Sequence, residues 1–137
     1  MTAFETMSLP ADPDVVAPDG SDVRVLLRLA GGSAAHFELA PGRVSSPVRH
    51  RSVEEIWYVV SGRGRMWRRQ PAPDGDGDRD EVVDLRPGVC LTIPLGTAFQ
   101  FRADGDEPLA AVGVTMPPWP GDGEAVPAEG RWETPTG

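Results

Sequence analysis

The sequence predicts an all-β domain built as a double-sheet jelly-roll barrel. The 16 glycines and 15 prolines together make up 31 of the 137 residues, and they separate short segments that are apolar or alternate in polarity. Turns at such short, regular intervals are typical of sandwiches and barrels of antiparallel strands. No segment shows the 3.6-residue period of an amphipathic helix. A chain of this length forms one domain whose core needs no disulfides.

The expected strands follow one another between turns rich in glycine and proline. The first, VRVLLRL, covers residues 23–29, and AAHFELA follows the turn at residues 31–32. IWYVVS, residues 56–61, then leads through the turn at residues 61–64 into RMWRR. The remaining segments are VVDL, CLTIP, FQFRA and LAAVGVT. About eight strands at this spacing fit a jelly roll.

The two ends of the chain differ from the middle. Residues 1–20 have little periodicity and form an N-terminal extension, residues 21–116 form the barrel, and residues 117–137 form a tail rich in proline and glycine. This composition predicts that the tail forms no strand or helix of its own. Trp119 and Trp132 gain stability by burial, so we expect the tail to pack on the barrel or on a partner subunit.

Composition excludes several classes of function. The formal net charge is −8 at pH 7, and nucleic-acid binding depends on clustered basic residues, so we expect no nucleic-acid partner. All 13 basic residues are arginine, which excludes a Schiff-base mechanism from this chain. The apolar runs are too short to span a bilayer. The first residues lack a basic region followed by an apolar stretch, so we expect a cytoplasmic protein without a membrane partner.

The first of two glycine-framed motifs carries a histidine and a glutamate just ahead of an apolar strand. It runs from Gly42 to Gly62 and places His50 five residues before Glu55. It resembles the first motif of the cupin family, G-x5-H-x-H-x3-4-E-x6-G, with Val48 in place of the first histidine.

The second motif resembles the other cupin motif, G-x5-P-x-G-x2-H-x3-N. Gly88, Pro94 and Gly96 match its turn residues, while Phe99 replaces the histidine and Ala103 the asparagine. Two of the four metal ligands that the family motifs supply are therefore missing, although the turn residues are present. The resemblance implies the cupin double-stranded β-helix barrel more strongly than it implies the family's metal chemistry.

The resemblance also implies that Glu55 faces the interior of the barrel. Alternate side chains of a strand share a face, so Trp57 faces the interior as well. An apolar, aromatic pocket with a few polar groups is typical of sites for small organic molecules. An arginine at the mouth of such a pocket would hold a carboxylate or an enolate. The candidate substrate-binding residues are Val48, Arg49, Trp57, Trp67, Phe99 and Phe101.

His50 and Glu55 are the candidate catalytic residues. Imidazole titrates near neutrality, and an apolar pocket raises the pKa of a carboxyl toward the same range. As an acid/base pair they would serve a metal-independent isomerase, cyclase, epimerase or lyase acting on a small organic substrate, and we expect no cofactor. We also expect a homodimer.

Two alternatives stay open at the level of sequence. In the first, His50, Glu55 and, if it reaches the cavity, His36 hold a divalent transition metal, as in a cupin dioxygenase. In the second, the chain is a non-catalytic cupin that binds a small molecule, and the two residues only form hydrogen bonds.

Overall fold

The computed structural model describes residues 1–134, and over this range the chain forms strands and no helix. The eleven strands are β1 (Val15–Val16), β2 (Asp22–Leu29), β3 (Gly32–Leu39), β4 (Val48–His50), β5 (Glu54–Ser61), β6 (Gly64–Pro71), β7 (Asp78–Leu85), β8 (Cys90–Ile93), β9 (Ala98–Ala103), β10 (Leu109–Met116) and β11 (Ala125–Pro127).

The strands form two antiparallel sheets that pack face to face. One sheet has six strands in the order β1-β2-β3-β10-β5-β8, and the other has five in the order β11-β4-β9-β6-β7. The prediction of an all-β double-stranded β-helix is confirmed. Within residues 1–134, no helix is long and apolar enough to cross a membrane.

Strand β5 shows how alternation in the sequence builds the core. Glu55, Trp57 and Val59 are buried, whereas Ile56 and Tyr58 between them are exposed. Alternate residues of a strand point to opposite faces of its sheet, so the buried set faces the interior between the two sheets. The strand therefore carries a buried carboxyl into an otherwise apolar core.

Turn geometry explains the glycines of the two motifs. Gly62 joins β5 to β6 with φ at +80°, and a Cβ at this position would lie 2.3 Å from the carbonyl oxygen of Pro108. Gly96 joins β8 to β9 with φ at +82°. Side chains other than hydrogen rarely tolerate such angles. These turns depend on backbone conformation alone, so they form without the metal ligands that accompany them in the motif.

The tail forms a strand, and the sequence-based prediction that it would form none is wrong. Strand β11 pairs with β4 through Ala125 opposite His50 and Pro127 opposite Val48. It lies at the edge of its sheet, where proline is tolerated. The free edge of β4 supplies the backbone partners that the local composition could not reveal.

Residues 131 and 132 of the tail pack on the outer face of the five-stranded sheet. The backbone N–H groups of Arg131 and Trp132 donate to Oε1 of Gln100 at 3.0 and 2.9 Å. The Gln100 amide in turn donates to the carbonyl of Trp132 at 2.8 Å. The last part of the expected tail, residues 135–137, lies outside the described residues.

Candidate functional site

His50 and Glu55 meet inside the barrel. His50 ends β4, and Glu55 is the second residue of β5, so the short connection between the strands brings them together. Nδ1 of His50 lies 3.8 Å from Oε1 of Glu55, and the side chains are 6% and 2% exposed. This separation is too long for a hydrogen bond. Within the described chain, His50 Nδ1 and Glu55 Oε2 have no hydrogen-bond partner. The pair is therefore buried with unused hydrogen-bonding capacity.

Two aromatic rings enclose the His50 imidazole. Phe99 meets it edge-on with ring centroids 5.2 Å apart, and Trp119 of the tail meets it edge-on at 5.1 Å. The backbone N–H of Trp119 donates to Oγ of Ser33 at 2.9 Å, which fixes this part of the tail to β3. The tail therefore covers the end of the barrel at which His50 lies.

Further aromatic rings fill the interior behind the pair. Trp57 stacks on Phe37 with centroids 5.4 Å apart and meets Phe101 edge-on at 4.9 Å. Trp57, Phe99 and Phe101 are at most 2% exposed. These rings pack against one another, so they form an aromatic core around Glu55. They do not form the open aromatic wall expected from the sequence.

Burial shifts the two titratable groups in opposite directions. Desolvation lowers the pKa of His50 to about 4, although the carboxylate of Glu124 acts against this shift. Desolvation raises the pKa of Glu55 to about 8; the Trp57 indole alongside opposes the shift without reaching hydrogen-bond geometry, and Asp19 adds to it. At pH 7 both members of the pair are therefore neutral, with an imidazole beside a carboxylic acid.

Space for the Glu55 carboxyl depends on Gly113 of β10. Gly113 pairs with Trp57, and a Cβ on it would lie 2.5 Å from Oε2 of Glu55 and 2.6 Å from a ring carbon of Phe37. Real Cβ atoms do not approach neighbours so closely. The missing side chain at this position therefore makes room for the carboxyl among the aromatic rings.

Glu124 of the tail holds the connection between His50 and Glu55. Its carboxylate accepts hydrogen bonds from the backbone N–H and hydroxyl of Ser52 and from the N–H of Val53 at 2.8 Å. Burial raises the pKa of Glu124, but the hydrogen bonds from Ser52 and Val53 outweigh it and leave the pKa below its ordinary value. Sequence reasoning missed Glu124 because no local pattern indicates which loop a tail residue will reach.

An open groove gives access to His50 from the surface. Its volume is about 420 Å³. Arg49 is exposed and lies in this groove, next to His50 in sequence but pointing away from the barrel interior. Val48 is buried in the core and pairs with Phe99, so it lies beside the pair and not in the groove. The groove is lined by Arg49, His50, Arg51, Leu95, Gly96, Val126 and Pro127.

The placement of Trp67 in the substrate pocket is wrong. Met66 pairs with Phe101 and fills the core, so the next residue of β6 points to the outer face of the sheet. There Trp67 pairs with Gln100, and its indole N–H points toward Oδ2 of Asp80 at 3.3 Å. Trp67 is buried by its outer-face neighbours and does not reach the His50 site.

His36 does not join His50 and Glu55 either. Phe37, the next residue of β3, stacks on Trp57 in the interior, so His36 faces outward. It pairs there with Arg24 of β2, and burial together with the nearby guanidinium lowers its pKa.

The residues at the pair do not fit a transition-metal centre. Stable centres use three or four protein ligands, and the structure brings two together, with apolar Val48 and Phe99 at the other ligand positions of the motifs. No group of three or more His, Cys, Asp or Glu side chains with metal-binding geometry occurs in residues 1–134.

Comparison with solved structures identifies the same fold in proteins of low sequence identity. A protein with a double-stranded β-helix domain from Klebsiella pneumoniae is 20% identical, with a TM-score of 0.60 over 80% of this chain and 85% of its own. KdgF from Halomonas sp. is 20% identical, with a TM-score of 0.61 over 77% and 87% of the two chains.

Oxalate decarboxylase from Bacillus subtilis, described with Mn(II) centres, is 20% identical, with a TM-score of 0.59 over 75% of this chain and 27% of its own. At these identities the likeness concerns the fold alone. The family model of the cupin domain matches residues 35–115, which is more than half of the chain and includes both glycine-framed motifs. The chain therefore belongs to the cupin domain family.

Proposed function

We propose that this cupin is a small-molecule enzyme in which His50 and Glu55 transfer a proton without a metal. The cupin fold is compatible with a small-molecule enzyme or binder in general. The observation that favours proton transfer is the contact itself: two titratable groups lie 3.8 Å apart, each with an atom that lacks a hydrogen-bond partner among the described residues. Opposite pKa shifts keep both neutral at pH 7, which is the arrangement expected of an acid and a base.

The orientation of the pair suggests a relay. Nδ1 of His50 faces Glu55, which leaves the opposite ring nitrogen, Nε2, for a substrate in the groove. In the donating direction, the O–H bond of Glu55 breaks and its proton goes to Nδ1, while the Nε2–H bond breaks and that proton goes to a substrate carbon. The accepting direction starts from the ionised form of Glu55 with the proton on Nδ1, a minor form that a pKa of about 8 leaves populated near pH 7. It reverses these steps at a second carbon and restores the neutral pair. The sum of the two directions is an isomerisation, and either half alone serves an epimerase, cyclase or lyase.

Arg49 and Arg51 supply the positive charge that such a substrate requires. Both line the groove beside His50. Neither forms an ion pair within residues 1–134, although the chain as a whole has net charge −8. A free guanidinium binds a carboxylate or an enolate through paired hydrogen bonds. The substrate class that fits is a small organic acid with a proton to lose next to its carbonyl group.

Exchange of substrate protons with solvent tests the proposal without knowledge of the product. Small keto and hydroxy acids are incubated with the protein in D₂O, and deuterium uptake at carbon is followed by NMR. We expect Glu55→Gln and His50→Ala each to lower the exchange rate by about a hundredfold or more. Glu54→Gln, on the exposed neighbour in β5, is the matched control and should keep the wild-type rate. Unchanged exchange in both site variants would refute proton transfer, and binding without exchange would favour a non-catalytic cupin.

We further propose that the protein is a homodimer that covers the outer face of the six-stranded sheet. Ile56, Tyr58 and Val60 of β5 are 41 to 51% exposed there, and Val114, paired with Ile56, is 38% exposed. Contiguous apolar surface of this kind marks protein interfaces. Light scattering after gel filtration should give twice the chain mass, and Tyr58→Arg should give the monomer. Leu29→Arg, also on an exposed apolar residue but at the end of β2, should leave the dimer intact.

A further inference from the structure

A second pocket lies at the open edge between the two sheets. Strands β7 and β8 end their respective sheets, so the backbone hydrogen bonding of the two sheets does not close around the barrel here. The pocket has a volume of about 150 Å³. At about 30 Å³ per water molecule, it holds about five waters or a molecule of similar size. Its lining residues are Arg68, Gln70, Arg79, Glu81, Thr92, Pro94 and Thr97.

Arg68 forms the inner wall of this pocket. It pairs with Phe99 across β6 and β9, so its side chain leaves the sheet on the interior face, unlike that of Trp67 before it. One terminal nitrogen donates to the carbonyl of Thr92 in the other sheet at 2.7 Å, and the other donates to Glu81. The Nε atom is buried and has no hydrogen-bond partner among residues 1–134. The guanidinium is thus held in place while its buried Nε–H donor stays unused.

The charges in the pocket favour an anion. Two guanidinium groups share one carboxylate, since Glu81 contacts Arg68 through Oε1 and Arg79 through Oε2 at 3.9 Å. The lining therefore carries one net positive charge. Gln70 adds an amide, and the hydroxyl of Thr97 points toward the Gln70 oxygen at 3.4 Å, so polar groups suited to a hydroxyl or carbonyl lie beside the positive charge.

We infer that this pocket binds a small monocarboxylate that carries a hydroxyl or keto oxygen next to the carboxyl group. The single net charge is neutralised by one carboxylate, whereas a phosphate dianion would leave one negative charge uncompensated in the pocket. The volume matches an acid of about three carbons. Phe99 separates the pocket from His50, so this binding site is distinct from the groove. Evidence against the proposed proton transfer would therefore not count against this site.

NMR titration of the ¹⁵N-labelled protein with lactate tests this assignment, with the Arg68 Nε–H signal as the reporter. We expect a saturable shift of this signal. Gln70→Leu should weaken lactate binding about tenfold while leaving the Arg68 bridge between the sheets in place. Arg68→Leu lacks the reporter, so its titration is followed through the backbone amide signal of Thr97, and lactate should cause no saturable shift there. Arg65→Leu removes an arginine from the outer face of the same strand and should change affinity less than about twofold.

Other outcomes separate this site from its alternatives. Glu55→Gln should bind lactate as the wild type does, whatever it does to proton exchange, because Glu55 does not line the pocket. Inorganic phosphate binding more tightly than lactate would overturn the choice of a monocarboxylate. No saturable shift with lactate, or an unchanged affinity in Gln70→Leu, would overturn the site itself.

Discussion

Two buried glutamates near His50 ionise in opposite ways. Glu55 is in the wall of the barrel, and Glu124 is in the part of the tail that crosses the end of the barrel, residues 117–124, which we call the strap. The two glutamates are 3% and 4% exposed. Burial raises the pKa of Glu55 to about 8, whereas the pKa of Glu124 lies below its ordinary value. The two carboxyl groups expose similarly little surface, but Glu55 is enclosed by the core whereas Glu124 lies near the protein surface, so a small exposed area alone does not determine the charge of a carboxyl group.

Hydrogen-bond donors stabilise the charged form of only one of these two carboxyls, in addition to the difference in how deeply they are enclosed. Glu124 accepts from two backbone N–H groups and a hydroxyl, which stabilise its carboxylate form. Glu55 Oε2 has no such partner in the described chain, so the cost of desolvating the charge is not offset. The strap therefore carries a structural anion and the wall a neutral acid, and only the neutral acid can give up a proton near pH 7.

The largest expected effect on stability follows from removal of the Glu124 carboxylate. Glu124→Ala leaves the N–H groups of Ser52 and Val53 without their acceptor and releases the connection between His50 and Glu55. We expect the free energy of unfolding to fall by about 3 kcal/mol, since hydrogen bonds to a charged group are involved. Urea denaturation measures this change. Glu129 is an exposed glutamate of the same tail, and Glu129→Ala should lower the free energy of unfolding by less than about 0.5 kcal/mol. A similar loss in both variants would mean that the hydrogen bonds of Glu124 do not stabilise the protein.

The sequence specified the wall of the barrel better than the strap. Alternation in residues 55–59 placed Glu55 and Trp57 on one face, and the structure shows both in the interior. Trp67 was misplaced, because the sequence does not show which residues of β6 face the interior. Its neighbour Met66 takes the interior position because the register of β6 with β9 pairs Met66 with Phe101 and Trp67 with Gln100. A one-residue change of register exchanges the two faces of a strand.

Contacts between distant parts of the chain could not be predicted in this way. Trp119 lies edge-on to His50, and Glu124 binds the loop before Glu55, yet each is about 70 residues away from its partner along the chain. The indole was a local signal that the tail would be buried. Nothing local indicated that a tail glutamate would cap a loop, because exposed and buried glutamates look alike in a single sequence.

The neutral acid Glu55 has an effect on stability that is smaller over one pH unit than the loss of Glu124, and this effect accumulates as the pH rises. The pKa of Glu55 rises from an ordinary value of 4.5 to about 8 on folding, so between these values the folded state holds a proton that the unfolded state has lost. This group therefore makes the protein less stable as pH rises through that window, by about 1.4 kcal/mol per pH unit. His50, whose pKa falls on folding, contributes the opposite slope between about 4 and 6.5.

Comparison of the wild type with Glu55→Gln separates the contribution of the Glu55 carboxyl to the pH dependence of stability from the contribution of His50. The stability difference between this variant and the wild type should grow in favour of the variant from pH 5 to pH 8, as measured by urea denaturation at each pH. Glu54→Gln, on the exposed neighbour in β5, should show no such slope. A difference that stays constant over this range would mean that Glu55 is ionised in the folded protein, like Glu124.

The smallest expected effect concerns His50, which lies between the two carboxyl groups and reports on both. Desolvation lowers its pKa to about 4, and the Trp119 ring supplies part of the enclosure. Trp119→Ala admits water to the imidazole, so the pKa of His50 should rise by about one unit toward its ordinary value of 6.5. Titration of the His50 ring protons by NMR measures this shift. Trp132→Ala removes the other tail indole, which packs on Arg102, and should leave the His50 pKa unchanged. If neither variant moves the pKa, the rings of the barrel wall desolvate His50 by themselves, and the strap acts on the site only through the carboxylate of Glu124.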